Sequence, residues 1–348
     1  MTRSPMSQSS LDGFRIAGVR TCVPPRVIDN LEFGESFGGT DVRKVVAMAG
    51  VRQRHVVDEN TTAADLCFEA AAKLLDELGW ARESVTGLIF VTQSPDYFLP
   101  STSCVVHRWL GLADTCATFD VGLGCSGYPY GLYLAATMLR GGGQSRILVL
   151  HGETPSRFTS PDDHATTLLF GDAGSATAVE HVQDAPATQF ALYTDGKGYD
   201  GLIVRGGGFR DRTPADPRRM FLEMDGAGVF NFTIKRVPPL VRDTLAFASL
   251  GVGDIDLFAL HQSNRFMMKH LIKKCGMDEA RAPILLERYG NVGGPSVPLV
   301  LTHAGEGASR RVMMIGYGVG LSWSAAITKL DASARLAHAV YAGDSARA

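Results

Sequence analysis

The sequence predicts an α/β fold made of two similar halves, each with a buried, largely parallel sheet under a cover of helices. Residues 88–94 form an apolar segment that ends in Gln-Ser, and residues 257–263 repeat it. A second pair of apolar segments, 145–150 and 309–315, follows in the same order. Continuous apolar strands that alternate with helical segments are typical of buried sheets covered by helices. Chance similarity between buried strands is the alternative, and the agreement of both pairs in order argues against it.

The two halves also share a glycine-rich turn between their paired strands. The first turn, 122–127, lies between the apolar run 117–121 and a helix-like stretch at 128–140, and the second turn is 289–296. Cys125 lies in the first turn. A cysteine between a strand and a helix has its sulfur near the positive end of the helix dipole, which favours the nucleophilic thiolate. The flanking glycines allow a sharp turn and the close approach of a substrate carbonyl.

Cys125 is one of six cysteines, none of which belongs to a CxxC pair or has the Cys/His spacing of a zinc site. They are Cys22, Cys67, Cys104, Cys116, Cys125 and Cys275. They suggest neither a metal site nor a disulfide framework. In a reducing cytosol most of them are expected to be small core residues. A buried structural cysteine is also the alternative interpretation of Cys125.

The composition limits the classes of protein that the chain can represent. It has 348 residues, 45% hydrophobic and 20% charged, which is typical of a compact protein of two domains or one duplicated fold. Lys and Arg total 34 against 36 Asp and Glu, so the charge gives no reason to expect nucleic acid or an anionic membrane as a partner. No apolar run approaches the roughly 20 residues that span a bilayer, and residues 1–14 lack the apolar core of a signal peptide. A soluble, cytoplasmic protein is expected.

The duplication predicts where the reactive groups lie. If the halves pack about a pseudo-twofold axis, the strand ends that carry Cys125, His261 and Asn291 meet at one face. A nucleophile with two hydrogen-bonding partners would result. Each residue alone has an ordinary alternative, because most of the nine histidines are expected to be surface or core groups and asparagine beside glycine is commonly a turn residue.

Five motifs occur in an order that resembles the ketoacyl-acyl-carrier-protein synthase III family, a branch of the thiolase superfamily. They are Gly124-Cys125-Ser126-Gly127, Phe170-Gly171-Asp172-Ala173-Gly174, His261-Gln262-Ser263-Asn264, Tyr289-Gly290-Asn291 and Gly316-Tyr317-Gly318-Val319-Gly320-Leu321-Ser322-Trp323. The resemblance implies a thiolase fold with layered mixed sheets and helices. It implies a half at 12–180 with the nucleophile, a half at 181–330 with His and Asn, and a tail at 331–348.

The resemblance further implies a homodimer with a catalytic triad of Cys125, His261 and Asn291. Cys125 would take an acyl group from a thioester of acyl-carrier protein or coenzyme A, while the backbone N–H groups of Cys125 and Val319 hold the oxyanion. Neutral His261 and Asn291 would then donate hydrogen bonds to a malonyl-type thioester during decarboxylative Claisen condensation to a 3-oxoacyl product. No metal or redox cofactor is implied, and a specialised branch of fatty acid or polyketide biosynthesis is favoured.

Two other functions remain open at this point. The acyl group on Cys125 could pass to a hydroxyl or amine with His261 as general base, which would make the protein an acyltransferase of a different kind. Alternatively, a duplicated fold of this kind could serve as a non-catalytic partner subunit, although the intact triad argues against that function.

The residues that bind coenzyme A in the family's housekeeping members differ here. The positions of the Trp and Arg around the adenine are Lys44 and Met48, and the second adenine-side Arg is His164. A base therefore cannot stack between Trp and Arg. The sequence predicts a weakened coenzyme A site.

Part of the docking surface for an acidic carrier protein is kept. Lys273 and Lys274 match basic positions of that surface, whereas its Arg is Phe266 and another of its lysines is Asn231. A solvated helix face is the ordinary interpretation of two adjacent lysines. The mixture nevertheless predicts partial retention of carrier docking.

Leu99 and three further segments are unusual for the family. Leu99 and Gly293-Gly294-Pro295 differ in size and shape from the residues common near the acyl pocket. The loop 206–212 is predicted to be an ordinary surface loop, with a mobile lid as the alternative, and the Ala-rich tail 331–348 a short helix or a frayed end. None of these segments identifies a substrate.

Overall fold

The computed structural model describes residues 7–34, 37, 41–343 and 346–347, so residues 1–6 of the N-terminal stretch and residues 344, 345 and 348 of the tail lie outside the described residues. The strands are β1 Gln8–Leu11, β2 Phe14–Val23, β3 Arg26–Asp29, β4 Gln53–Val56, β5 Gly87–Val91, β6 Ala117–Val121, β7 Arg146–Glu153, β8 Ala173–His181, β9 Thr188–Thr194, β10 Leu202–Ile203, β11 Glu223–Met224, β12 Leu257–Leu260, β13 Arg310–Gly318, β14 Ser322–Leu330 and β15 Arg335–Val340. The helices are α1 Asn30–Phe33, α2 Val42–Ala49, α3 Ala63–Leu78, α4 Thr102–Leu110, α5 Gly127–Arg140, α6 His164–Thr167, α7 Gly226–Phe247, α8 Arg265–Lys274, α9 Leu286–Tyr289 and α10 Ser296–His303. Over the described residues, none of these helices is both long and apolar enough to cross a bilayer.

Two mixed sheets form the framework. The six-stranded sheet has the order β15-β2-β8-β7-β5-β6, and the five-stranded sheet has the order β1-β9-β14-β13-β12. β5 is parallel to β6 and β7, and β12 is parallel to β13. β8, β9 and β14 are antiparallel to each of their neighbours. The expectation of largely parallel sheets is therefore wrong, whereas the layered, mixed arrangement implied by the resemblance is confirmed.

The repeat in the sequence is also a repeat in the structure. The apolar part of 88–94 lies in β5 and that of 257–263 in β12, and each strand pairs in parallel with the strand from the second repeated segment, β7 or β13. The two glycine-rich turns lead into α5 and α10. Each half therefore contributes a strand, a turn, a helix and a second strand in the same order.

α5 and α10 lie between the two sheets and join their cores. Tyr128 and Leu132 on α5 and Val297, Val300 and Leu301 on α10 belong to one buried apolar cluster that includes residues of both sheets. α3 covers the opposite face of the six-stranded sheet, and α7 covers that of the five-stranded sheet. The layers therefore alternate helix, sheet, helix, sheet, helix, as expected where each sheet must bury both faces.

The tail adds a strand to the sheet of the first half. β15 pairs in parallel with β2, and its Leu336 is buried in the central cluster. Beyond it, the N–H of Ala342 donates to Glu69, and Arg347 pairs with Asp65. The expectation of a short helix or a frayed end is therefore wrong, because the free edge of β2 offers the tail a row of backbone partners. The domain boundaries at 180 and 330 remain a prediction.

The loop 206–212 lies at the surface, as predicted. Phe209 is 77% exposed and its ring contacts that of Phe98, with centroids 5.3 Å apart. An ion pair of 2.6 Å joins Asp211 to Arg219 at the base of the loop.

Candidate active site

The nucleophile turn connects β6 to α5 and carries Cys125 into the space between the sheets. α5 begins at Gly127, where a Cβ would lie 2.6 Å from Val91. At Gly124 a Cβ would lie 2.3 Å from the Oε1 atom of Gln93. Glycine at these two positions therefore allows the turn to pack directly on the end of β5. Cys125 is 9% exposed in this position.

A hairpin of the second half covers the Cys125 side chain. β13 ends at Gly318, where a Cβ would lie 2.9 Å from the Cβ and 3.1 Å from the Sγ of Cys125. The backbone N–H groups of Cys125 and Val319 both lie close enough to the sulfur to lower the pKa of its thiol. These are the two N–H groups that the family resemblance suggested for an oxyanion hole.

Three serines fix this hairpin to the nucleophile turn. The hydroxyls of Ser126 and Ser322 lie 2.6 Å apart, and Ser322 donates to the carbonyl of Val319 over 2.8 Å. Ser324 donates to the carbonyl of Ser126 over 2.7 Å. The carbonyl of Val319 is bound by Ser322, which in turn contacts Ser126 in the nucleophile turn. These hydrogen bonds set the position of the Val319 N–H relative to Cys125.

Burial controls the protonation of Cys125. Loss of solvent, together with the nearby carboxyl group of Glu153, raises the pKa of the thiol to about 12, although the N–H groups of Cys125 and Val319 act in the opposite direction. The expectation that the start of α5 favours a thiolate is therefore wrong for the free thiol, because loss of solvent is the largest influence on its pKa. Cys125 is a thiol at neutral pH, and its deprotonation must accompany attack on a substrate.

His261 extends the pairing of β12 with β13, since its N–H donates to the carbonyl of Ile315 over 2.8 Å. Its ring is almost completely buried, with Nδ1 2.9 Å from the hydroxyl of Ser296 and 3.2 Å from the carbonyl of Gly293. Burial lowers the pKa of His261 to about 4, so the imidazole is neutral at pH 7. The Ser296 hydroxyl donates to the carbonyl of Gly293 over 2.6 Å, so in this arrangement it accepts from a protonated Nδ1. Nε2 carries the proton only when this hydroxyl turns from Gly293 and donates to Nδ1.

Asn291 is fixed through its backbone and its side chain. Its N–H donates to the carbonyl of Leu169 over 2.9 Å, and its carbonyl accepts from Gly171 over 3.1 Å. The side-chain Oδ1 accepts from the N–H of Gly293 over 2.9 Å. Because the carbonyl end of the amide is used in this way, the NH₂ end is the part that can donate to a substrate.

The turn 293–294 brings the three candidate residues to one place. The backbone N–H of Gly293 donates to the Oδ1 of Asn291, and the backbone carbonyl of Gly293 lies near the Nδ1 of His261. A Cβ on Gly294 would lie 2.7 Å from the carbonyl oxygen of Gly124, next to Cys125. The ends of corresponding elements from the two halves therefore meet between the sheets.

Two family models match the chain over this site. Residues 119–196 match the model described as 3-oxoacyl-[acyl-carrier-protein (ACP)] synthase III, and residues 245–330 match its C-terminal counterpart. The first match contains Cys125, and the second contains His261, Asn291 and Val319.

Relatives are similar over nearly their whole length. The chain is 31% identical over 322 residues to beta-ketoacyl-[acyl-carrier-protein] synthase III of Desulfitobacterium hafniense (strain Y51), covering 90% of this chain and 97% of that protein. It is 32% identical over 336 residues to a putative 3-oxoacyl-[acyl-carrier-protein] synthase 3 of Campylobacter jejuni, covering 92% and 95%. The crystal structure of a 3-oxoacyl-(acyl-carrier protein) synthase from Burkholderia xenovorans LB400 matches with a TM-score of 0.92 at 41% identity, covering 96% of this chain and 99% of that one. The chain belongs to the 3-oxoacyl-ACP synthase III family.

Membership settles the class of reaction. This synthase III is a condensing enzyme of the acyltransferase type, and its predicted thiolase fold is confirmed. Transfer to a hydroxyl or amine and a non-catalytic role are not favoured by these similarities.

Two buried titratable residues of this synthase III, His151 and Glu153, are not among the site residues predicted from the sequence. Glu153 accepts hydrogen bonds from the N–H of Gln93 over 3.0 Å and the hydroxyl of Ser94 over 3.3 Å. Burial raises the pKa of Glu153 to about 8, so its carboxyl group is mostly neutral at pH 7. Both residues end a buried apolar strand, as His261 does. That position is the signal that could have identified them.

The region predicted to be a weakened coenzyme A site is an apolar cleft in this synthase III. The cleft has a volume of about 310 Å³, and its lining includes Met48, His164, Phe230 and Phe266. Phe266 is 60% exposed, and its ring stacks on Phe230 at 5.7 Å. The described residues of the lining include no tryptophan or arginine. Lys44 lies at the surface with 84% of its side chain exposed.

The predicted docking lysines lie on a helix that forms one wall of this cleft. Lys273 and Lys274 are the last two residues of α8, both are exposed, and Phe266 lies in the first turn of the same helix. Asn231 is exposed on the neighbouring α7. A partner that reaches the cleft along α8 would therefore pass from basic to apolar surface.

The unusual residues assigned to the acyl pocket separate in space. Gly293 and Gly294 lie in the site, and Pro295 caps α10. Leu99 is 80% exposed beside Tyr97 and Phe98, which are also exposed. In the single chain, Leu99 therefore lies at the surface.

Proposed function

We propose that this synthase III, acting in the cytoplasm, condenses an acyl group carried on Cys125 with a malonyl-type thioester, with His261 and Asn291 as hydrogen-bond donors. The observation that carries the proposal is the position of the Gly293 backbone beside the Cys125 turn. Its N–H binds the side chain of Asn291, and its carbonyl contacts the ring of His261. A neutral imidazole and an amide can stabilise negative charge on oxygen without taking up a proton.

In the first stage, the sulfur of Cys125 attacks the carbonyl carbon of an acyl thioester. A new C–S bond forms, the C–S bond of the donor breaks, and the thiol proton ends on the leaving thiol. The N–H groups of Cys125 and Val319 bind the oxygen of the tetrahedral intermediate. A difficult transfer is thereby divided into two easier steps.

In the second stage, the malonyl thioester binds with its thioester oxygen toward His261 and Asn291. His261 donates from Nε2 in the tautomer whose Nδ1 accepts from Ser296, which requires the Ser296 hydroxyl to turn from the carbonyl of Gly293 to Nδ1. The bond to the carboxylate breaks, carbon dioxide leaves, and the electron pair is held as an enolate by the two donors. The carbanion attacks the carbonyl of acyl-Cys125, the C–S bond breaks, and the Cys125 thiolate takes a proton from solvent as the 3-oxoacyl product leaves.

Acylation is expected at Cys125 alone, because this is the cysteine that two backbone N–H groups face. The enzyme is incubated with a panel of acyl thioesters, its intact mass is measured, and the adduct is located by digestion and mass spectrometry. The matched control is Cys125→Ala, which should remain unmodified. A stable acyl adduct on Cys104 or Cys116 with Cys125 untouched would rule out this assignment.

The acyl donor is a carrier-protein thioester rather than a coenzyme A thioester. The described lining of the cleft offers no tryptophan or arginine to an adenine. Lys273 and Lys274, in contrast, present two exposed cations to an acidic carrier. Such charges act mainly on the rate of association.

At matched acyl chain length, carrier thioesters are expected to give the higher kcat/KM. Charge reversal by Lys273→Glu and Lys274→Glu together should lower acylation from the carrier by about tenfold and leave the coenzyme A reaction nearly unchanged. Added salt should act in the same direction, because exposed charges are screened within about 10 Å at 0.1 M ionic strength. Lys329→Glu, at an exposed lysine of β14, is the matched control. Better reaction with coenzyme A, or equal loss with both donors, would contradict the docking assignment.

The enzyme acts as a homodimer. β6 is the outer strand of its sheet and is only partly buried, and an unpaired edge of this kind is usually covered. Tyr97, Phe98 and Leu99 add exposed apolar surface. Light scattering should give twice the chain mass of 37.3 kDa. A monomer at micromolar concentration would contradict this assignment.

A further inference from the structure

The end of β7 forms a platform beneath the turn that orients the catalytic side chains. β7 ends in His151, Gly152 and Glu153, and side chains two residues apart on a strand face the same side. A Cβ on Gly293 would lie 3.1 Å from the Cγ of Glu153, and one on Gly294 would lie 1.8 Å from the Cε1 of His151. One platform residue therefore lies under each glycine of the turn.

His151 is completely buried, and neither of its ring nitrogens has a hydrogen-bond partner among the described residues. Burial and the nearby His261 lower the pKa of His151 to about 3, so the ring is neutral. Without such partners, the imidazole acts through the space that it fills. That space lies between Gly294 and the start of α5, where a Cβ on Gly127 would be 3.1 Å from the Cε1 of His151.

Gly294 is a glycine for reasons of space rather than backbone conformation. Gly293 has a φ of +67°, whereas Gly294 is not among the glycines with positive φ, so its backbone accepts alanine. The added methyl group would overlap the His151 ring, at 1.8 Å from Cε1 and 2.0 Å from Nε2. The methyl group would also lie 2.7 Å from the carbonyl oxygen of Gly124, so removal of the ring relieves the larger of two overlaps and the turn must still shift slightly to hold alanine.

We propose that His151 is a positioning residue, whose ring sets the distance between the Cys125 turn and the turn 293–294 and thereby holds His261 and Asn291 in register for condensation. The proposal rests on the roles given to those residues above. The connection is short, because Gly294 rests on the ring and the adjacent Gly293 peptide contacts both side chains. A displacement of about 1 Å in such groups can cost about 100-fold in rate.

The test is a double-mutant cycle of His151→Ala, Gly294→Ala and the combined variant. Each single substitution is expected to lower kcat for malonyl decarboxylation by about 10- to 100-fold, with KM and the acylation of Cys125 changed by less than about threefold. The combined variant should regain at least about threefold relative to Gly294→Ala, because loss of the ring relieves the overlap with His151 and leaves the overlap with the carbonyl of Gly124. Thermal unfolding of all four proteins is measured in parallel.

A second measurement does not depend on activity. In ¹⁵N-histidine spectra, each single variant is expected to shift the Nδ1 resonance of His261, and the combined variant should return it toward the wild-type position. If the wild-type enzyme fails to decarboxylate malonyl thioesters, the proposed function fails, while a restored His261 resonance still supports the spacing role. Should His151→Ala not fold, Gly294→Ala and the combined variant decide the question.

Three results would overturn the positioning role. They are losses that simply add in the combined variant, a His261 resonance that no variant shifts, and equal losses of acylation and decarboxylation that follow the melting temperature.

Discussion

Replacement of Asn291 or His261 by alanine is expected to slow the decarboxylation of a malonyl thioester by about 100- to 1000-fold while Cys125 is still acylated. In the proposed mechanism, each variant removes one donor to the developing enolate and leaves the N–H groups of Cys125 and Val319 in place. Release of labelled carbon dioxide measures decarboxylation, and the intact mass of the enzyme measures acylation, in one preparation.

The matched controls are Asn60→Ala and His181→Ala, which remove an exposed amide and an exposed imidazole away from the site. Both should leave the two half-reactions unchanged. Loss of self-acylation with decarboxylation intact would refute the division of roles. That result would instead assign His261 to the proton of Cys125, whose high pKa demands a proton acceptor.

Gly318→Ala is expected to have the opposite effect and to slow acylation of Cys125 by at least about 100-fold, the size of effect found on losing an oxyanion donor. The new Cβ would lie 2.9 Å from the Cβ and 3.1 Å from the sulfur of Cys125, so the hairpin must move away. Val319 moves with it, and its N–H no longer faces the sulfur. The rate at which the acyl-enzyme mass appears after rapid mixing measures this effect.

Gly142→Ala is the control, since a Cβ there meets no atom within 4 Å and Gly142, like Gly318, has a positive φ. It should acylate at the wild-type rate. Wild-type acylation by Gly318→Ala would show that the hairpin tolerates the added methyl group and that the N–H of Val319 is not needed. Comparable melting temperatures for the two variants exclude unfolding as the cause of a difference.

The sequence could reveal the duplication because buried strands leave a continuous apolar signal. β5 and β12 both carry that signal, and both are followed by polar residues at the point where the strand ends. Cys125, His261 and Asn291 could be proposed as site residues because each stands beside such an element in a motif that resembles those of the family. Local sequence was sufficient to propose these residues.

Features that depend on distant parts of the chain could not be predicted in this way. Nothing near β8, β9 or β14 specifies that they run antiparallel to their neighbours. The pKa of Cys125 depends on how deeply two halves bury it, and the dipole of one helix is a poor guide to that quantity. The pairing of His151 with Gly294 joins residues from different halves and becomes visible only when both are in place.

The strand β15 also bears on how the polypeptide is made. β2 is translated long before β15, yet β15 is the strand that fills one of its edges. A nascent chain that has not yet released residues 335–340 from the ribosome therefore keeps that edge open. Unpaired edges invite pairing with other chains. Chains that lack residues 335–340 are thus exposed to association along β2, whereas in the folded enzyme β15 covers that edge.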